Sequence, residues 1–370
     1  MKGSLGIYVH IPFCVRKCQY CDFLSGPAGT EIQNQYVDQL LKEIECNQVL
    51  LQQHRTETVF FGGGTPSILE GTEIVRIMEA LRSYGNLSED AEISIEANPG
   101  TVTEEKLILW KKAGINRISF GLQSADNEEL KKLGRIHTWE TFVENYALTR
   151  KCGFQNINVD LMSALPGQNQ ETWKKTMEHV TALDPEHISA YSLIIEEGTP
   201  FYEQYEDHPE LLPSEEEERQ MYYETKRFLA SKGYERYEIS NYAKPGYECR
   251  HNLSYWDRVD YLGLGLGAAS LLGMMRKSNQ TVLEEYLKGN FEGETELLDD
   301  TAAMEEYFFL GLRKMQGVDW SCYRSQYEHV VQKLVTKGLL EQEGTRIRLT
   351  ELGIDVSNQV LAEFLVDETI

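Results

Sequence analysis

The chain has 370 residues, 41% of them hydrophobic and 26% charged, which describes a folded globular protein with one large α/β domain and a smaller one rather than a disordered or fibrous chain. Its 59 acidic residues against 36 basic ones leave a net charge of -23, which repels a phosphate backbone and argues against nucleic acid as a partner. The first apolar run is too short for a secretory signal, and the apolar stretch from Tyr261 to Met275 falls short of the ~20 residues a membrane span needs; no transmembrane segment is expected, and a reducing cytoplasm is the expected compartment.

Leu5 to Val9 reads as a strand that runs into His10-Ile-Pro-Phe-Cys14-Val-Arg-Lys-Cys18-Gln-Tyr-Cys21, where three of the seven cysteines crowd one loop at C-x3-C-x2-C spacing. Three thiolates can hold three irons of a four-iron cluster. The fourth iron then has no protein ligand nearby in sequence, as a cluster that binds a small molecule requires. A zinc ion is an alternative, although zinc usually takes four ligands in paired spacings, and disulfides fit an odd, crowded set poorly.

The pattern then repeats. A helical stripe from Gln33 to Gln53 precedes a strand, Thr58-Val-Phe-Phe61, and the turn Gly62-Gly-Gly-Thr-Pro-Ser67; a helix follows over Ile74 to Leu81. The strand Ala91 to Glu96 ends in Asn98-Pro-Gly100 before a helix from Glu104 to Lys112. Asn116 to Gly121 is a fourth strand, followed by helices at Asn127 to Leu133 and Thr138 to Lys151. Asn156 to Asp160 is a fifth strand, Glu171 to Leu183 a helix and His187 to Tyr191 a sixth strand. Six strand-then-helix units predict a parallel sheet with right-handed crossovers, two units short of a full eight-stranded barrel. Cys14, Gly62 to Thr65, Glu96, Gln123, Asp160 and Tyr191 all fall where strands end, so they are predicted to line one mouth at the carboxyl edge.

Beyond Pro213 the character changes. Ser214 and the four glutamates after it predict an N-cap and an acidic first turn for a helix running to Ser231. Tyr234 to Ile239 and Tyr242 precede His251-Asn-Leu-Ser-Tyr-Trp256, which on residues alone reads as a turn with core aromatics. In Tyr261 to Ser270 the alternation of Gly263, Gly265 and Gly267 with leucines strips one strand face for a backbone or a flat ligand. Residues 1–297 are thus expected to form the core, with about 234–297 appended to it, and residues 298–370 a separate winged-helix-like unit. That unit shows a helix from Asp299 to Leu312, a stripe from Val330 to Leu340, a strand at Arg346 to Leu349, and Thr350 capping a last helix to Phe364. Its acidity favours packing or protein contact over DNA.

A cluster with an open iron can bind the amino and carboxylate groups of S-adenosylmethionine and reductively cleave its sulfonium to a carbon radical. Gly62-Gly-Gly-Thr65 can meet the ammonium, while Glu96, Gln123, Arg135 and Asp160 suit the carboxylate and ribose.

The cysteine loop, the triple-glycine turn, Glu96-Ala-Asn-Pro, Arg117-Ile-Ser-Phe-Gly-Leu-Gln-Ser124 and Asn158-Val-Asp-Leu-Met-Ser-Ala-Leu-Pro-Gly-Gln168 together resemble the radical-SAM superfamily. More narrowly they resemble the oxygen-independent coproporphyrinogen III oxidase-like family and its heme-chaperone branch, over nearly the whole chain. The resemblance implies an α/β fold built on a partial (β/α)6 barrel. It implies Cys14, Cys18 and Cys21 as ligands of a 4Fe-4S cluster, and Tyr8, Tyr20, Gly64, Thr65, Glu96, Gln123, Arg135 and Asp160 around S-adenosylmethionine, with no catalytic residue assigned. The dehydrogenases carry a further cysteine where this chain has Phe23, and an N-terminal extension where seven residues precede Tyr8. The chaperone branch carries an H-N-x-x-Y-W motif associated with heme, implying that His251, Tyr255 and Trp256 meet heme through an imidazole and flat aromatic faces. The expected function is that of a heme chaperone that passes heme to an acceptor protein, which the resemblance allows to be respiratory and membrane-bound; a homodimer is allowed too. The alternative is oxidative decarboxylation of coproporphyrinogen III.

Overall fold

The protein is described by a computed structural model covering residues 3–365. Its first strand, β1 (Ser4–Ile11), is apolar on both faces and lies in the middle of the sheet, as a run without strict alternation demands. The long stripe that follows is two helices, α1 (Thr30–Cys46) and α2 (Gln48–Gln53), because Asn47 leaves helical geometry and turns its side-chain amide back onto the Glu43 carbonyl. The chain then alternates through β2 (Arg55–Gly63), α3 (Gly71–Tyr84), β3 (Leu87–Ala97), α4 (Glu104–Lys112), β4 (Arg117–Gln123), α5 (Asn127–Lys132), α6 (Trp139–Lys151), β5 (Ile157–Ser163), α7 (Gln170–Thr181) and β6 (His187–Ser192). Thr103, Asp126, Thr138 and Asn169 cap the helices after β3, β4 and β5 through their side-chain oxygens, which fixes where each begins.

The strands pair in parallel and in chain order from β1 to β6, the six-unit arrangement the sequence predicts. After α8 (Pro200–Tyr205) comes α9 (Glu215–Ser231), started by a capping box between Ser214 and Glu217. The hairpin-like pair β7 (Glu235–Arg236) and β8 (Asn241–Ala243) adds antiparallel to β6. Next comes the short helix α10 (Arg250–Trp256), where a turn had been read, and then β9 (Tyr261–Leu264), which joins β1 in parallel on its other side. β10 (Ala269–Leu272), β11 (Met275–Asn279), α11 (Leu283–Leu287) and β12 (Glu292–Leu297) continue the sheet antiparallel to a total of 12 strands, with no pairing that closes it.

The glycine run admits a backbone rather than a flat ligand. A Cβ on Gly263 would fall on the Ala269 carbonyl, and one on Gly265, whose φ is +100°, would strike the Tyr36 hydroxyl and the His10 carbonyl. The buried Glu43 locks this crossing by accepting from Gly265 N at 2.9 Å, Asn279 Nδ2 at 2.6 Å and the Tyr286 hydroxyl at 2.6 Å.

The remaining chain has its own core, centred on Phe308, Trp320, Tyr327, Ile347 and Phe364. It consists of α12 (Asp300–Gly311), β13 (Val318–Asp319), α13 (Arg324–Thr336), β14 (Leu340–Glu343), β15 (Arg346–Leu349), α14 (Glu351–Asp355) and α15 (Ser357–Ala362), with the three strands forming a small antiparallel sheet in the order β13-β15-β14. The stripe expected to run to Leu340 stops at Thr336, since Gly338 at φ +71° turns the chain into β14. The expected last helix is broken at Val356, and residues 366–370 of this unit lie outside the described residues.

Candidate functional site

The carboxyl ends of the parallel strands and the cysteine loop enclose a cavity of about 320 Å3. Of the residues singled out from sequence, Cys14, Cys18, Cys21, Tyr20, Gly64, Thr65, Glu96, Gln123, Arg135 and Asp160 all line it. All three cysteines are free thiols. Burial pushes the Cys14 and Cys21 thiols up, a cost that cationic iron would reverse. Among the described residues no three donors gather as a single-ion site requires, whereas a cluster spreads its thiolates over separate irons.

The loop is held from both sides. His10 donates from Nε2 to the Leu24 carbonyl and accepts at Nδ1 from the Tyr8 hydroxyl, each at 3.0 Å, so the strand before the loop grips the chain after it. Gly63, at φ +110°, lies against that imidazole, where a Cβ would come within 2.5 Å. Gly64 lies flat on the Phe13 carbonyl, 2.6 Å from an added Cβ, so the triple-glycine turn can pass under the cysteine loop only as glycine. Tyr8 itself stands outside the cavity lining and stacks on Phe60; its role here is to orient His10.

Arg135 reaches in from the segment after α5. Its guanidinium donates to Asn98 Oδ1 at 2.5 Å, to the Gly121 carbonyl and to Cys18 Sγ at 3.5 Å, while its buried Nε has no partner. Two half-buried carboxyls line the same cavity. Glu96 accepts from Gly63 N at 3.2 Å and is pushed up to about 8, first by burial and then by Asp160. Burial also raises Asp160, against hydrogen bonds from Ser189, Asn158 and Ser119 and the charge of Arg117. A cationic ligand with a carboxylate end suits this set: two acids and a guanidinium with an unspent donor on one cavity. The sequence reading passed over Asn98, Met162, Leu193 and Ile194 as lining residues; Asn98 had a signal in the Asn-Pro-Gly turn at a strand end, the others none.

His251, Tyr255 and Trp256 are elsewhere. α10 packs where the strands begin: His251 Nδ1 bonds Thr58 Oγ1 at 2.8 Å, four residues back along β2 from Gly62, or about 13 Å at 3.3 Å per residue. Its Nε2 bonds the Tyr255 hydroxyl at 2.9 Å and its ring stacks on Phe60. Glu92 accepts from the backbone N–H groups of Arg250 and His251, both at 3.0 Å, and so fixes the start of the helix. With 1% of its surface exposed and both nitrogens engaged, His251 has none free for iron in this arrangement. Burial and then Arg117 push its imidazole down to about 3, so it stays neutral. Trp256 lies under the Arg313 guanidinium, 4.6 Å from the ring centre.

Comparison with known proteins places this site in a class. Residues 8–180 match the radical SAM superfamily and residues 298–356 the HemN C-terminal domain. The chain also resembles the solved structure of coproporphyrinogen III oxidase (HemN) from Escherichia coli, a radical SAM enzyme, with a TM-score of 0.85 and 25% identity over 98% of this chain and 90% of that one. The fold is therefore that of a radical SAM protein, a class defined by a 4Fe-4S cluster and S-adenosylmethionine. Among curated relatives, proteins named heme chaperone HemW from Lactococcus lactis and Bacillus subtilis are each 35% identical, over 98% and 97% of this chain and 97% and 98% of their own lengths. The Escherichia coli protein of that name is 34% identical over 98% of both chains. The chain belongs to the HemW heme chaperone family.

Proposed function

We propose that this protein is a heme chaperone that holds a 4Fe-4S cluster and S-adenosylmethionine in the carboxyl-edge cavity and delivers heme to an acceptor protein. What carries the reading is the convergence of three thiols, a guanidinium with an unpartnered Nε and two cation-seeking carboxyls on one cavity of a chain in this family. Cys14, Cys18 and Cys21 would ligate three irons, and the cluster when bound supplies an electron and one open coordination site. Glu96 would take the ammonium group, Arg135 the carboxylate, and Asp160 with Gln123 the ribose hydroxyls; Gly64 and Thr65 would form the floor, and Tyr20 would cover Arg135. The cytoplasm is the proposed compartment, and among the described residues no helix is long and apolar enough to cross a membrane.

The likeness to coproporphyrinogen III oxidase favours a second reading, oxidative decarboxylation of a porphyrinogen. Phe23, at the place of that enzyme group's further cysteine, supports the chaperone reading instead. Anaerobic reconstitution decides between them. Heme offered to the cluster-loaded protein should give a saturable Soret change at one heme per chain, and coproporphyrinogen III with reductant should remain unconverted. Lack of saturable heme binding would overturn the proposal, and turnover to protoporphyrinogen would replace it.

A further inference from the structure

Heme is a flat apolar disc with two carboxylates on one edge, and α10 offers it neither an open face nor a free imidazole. Nor does a second cavity suit it. That space, about 610 Å3 between β7, α10 and the C-terminal unit, is lined by the acids Glu235, Glu248, Asp257 and Asp319, and two of its three basic residues are ion-paired, Lys314 with Asp257 and Arg236 with Glu351.

The lip of the cysteine cavity has the opposite character. Phe23 and Ile194 line it and remain 60% and 68% exposed, leaving two apolar side chains open at the rim. Below them Met162, Leu193, Tyr20 and Tyr191 belong to a separate apolar cluster with Leu133, Phe201 and Tyr205, so the apolar surface continues into the wall. On the same rim, Arg16 and Lys17 hold only backbone carbonyls: Arg16 donates to Gly134 O at 2.6 Å and Lys17 to Phe23 O at 3.0 Å, and neither forms an ion pair. In a chain of net charge -23, these two adjacent cations present a locally basic patch to an anion. Asp22 and Glu196 also reach the lining.

We propose that heme is seated on the lip of the cysteine cavity, its porphyrin face against Phe23 and Ile194 and its propionates on Arg16 and Lys17, while α10 braces the barrel from its other end. The placement rests on the heme-chaperone reading and names the residues that carry the cargo. Because the lip supplies no dedicated iron ligand, recognition is of the macrocycle and its carboxylates.

The test is heme titration of the cluster-reconstituted full chain, with iron and sulfide content and circular dichroism confirming that each variant is loaded and folded. A Phe23→Ser, Ile194→Ser double variant should weaken hemin binding about tenfold or more, the equivalent of ~1.4 kcal/mol. An Arg16→Glu, Lys17→Glu double variant should weaken hemin similarly but leave hemin dimethyl ester, which lacks the carboxylates, unchanged. Iron-free protoporphyrin should bind nearly as well as hemin. His251→Gln should lower stability while keeping the hemin Kd within about threefold of wild type. Wild-type affinity in both lip variants, or loss of binding confined to folded His251→Gln, would overturn the placement while leaving the chaperone reading intact. Failure of the wild-type chain to bind hemin at all would remove both.

Discussion

Glu96 is a carboxyl group on the cavity wall, poorly solvated and with a second carboxyl, Asp160, nearby, so in the ligand-free protein its pKa is pushed up to about 8. The unfolded chain gives up the Glu96 proton near the ordinary carboxylate value of 4.5. The folded state therefore binds more protons between those values, and stability falls as pH rises through this window. Glu96→Gln should raise the thermal midpoint of the ligand-free protein above pH 8, by the equivalent of roughly 2–4 kcal/mol, and change nothing near pH 4, as scanning calorimetry at the two pH values would show. Pairing with a cation needs the carboxylate form, so S-adenosylmethionine affinity should fall up to about tenfold per pH unit on going below 8, and the Gln variant should bind weakly with a flat profile by isothermal calorimetry. Residues of this kind are legible because strand ends can be counted: Glu96, Gln123 and Asp160 fall at or just past the expected ends of their strands, and parallel topology brings those ends together, although β5 runs on past Asp160 to Ser163. Met162, Leu193 and Ile194 are not, since an apolar residue beside a strand end looks the same whether it faces a helix or a cavity.

At the scale of one element, α10 shows where pattern reading fails. Seven residues give too few turns for an apolar stripe, so a helix that presses His251 into the barrel passed for a turn with aromatic neighbours. Removing the imidazole as His251→Ala would leave a void and orphan the Thr58 and Tyr255 hydroxyls, and we expect a loss of about 2–4 kcal/mol in urea unfolding at pH 7. Its folded value near 3 lies below the ordinary 6.5, so the neutral ring contributes stability that is present above 6.5 and lost as pH falls towards 3. The variant should accordingly be less sensitive to acid over that interval, a difference visible in the pH dependence of its unfolding midpoint. α9 is the contrary case. Its start was plain from Ser214 and the glutamates after it, and the capping box is present, with the Ser214 side chain accepting from Glu217 N at 3.3 Å. Ser214→Ala should cost about 1 kcal/mol by the same denaturant measurement.

At the scale of the whole molecule, ion pairs tie the second core to the first. Glu306 on α12 takes both Arg258 at 2.9 Å and Arg276, and Glu351 takes Lys226 and Arg236. Glu306 is only 13% exposed and Arg258 16%, so Glu306→Ala would strand a half-buried guanidinium and should cost roughly 1–3 kcal/mol, with the C-terminal unit's amides losing hydrogen-exchange protection before those of the barrel strands. These ties are not legible in the sequence, because side chains as far apart as Arg258 and Glu306 meet only after folding. The brace of α10 across the strand beginnings has a kinetic side as well. With α10 packed across the strand beginnings, the cofactor proposed in the cavity lies beneath the heme proposed on its lip, so the order of loading matters. Heme loaded before S-adenosylmethionine should slow the later arrival of the cofactor in stopped-flow mixing, whereas the cofactor loaded first should leave heme association unchanged. Equal rates in both orders would mean that α10 itself opens.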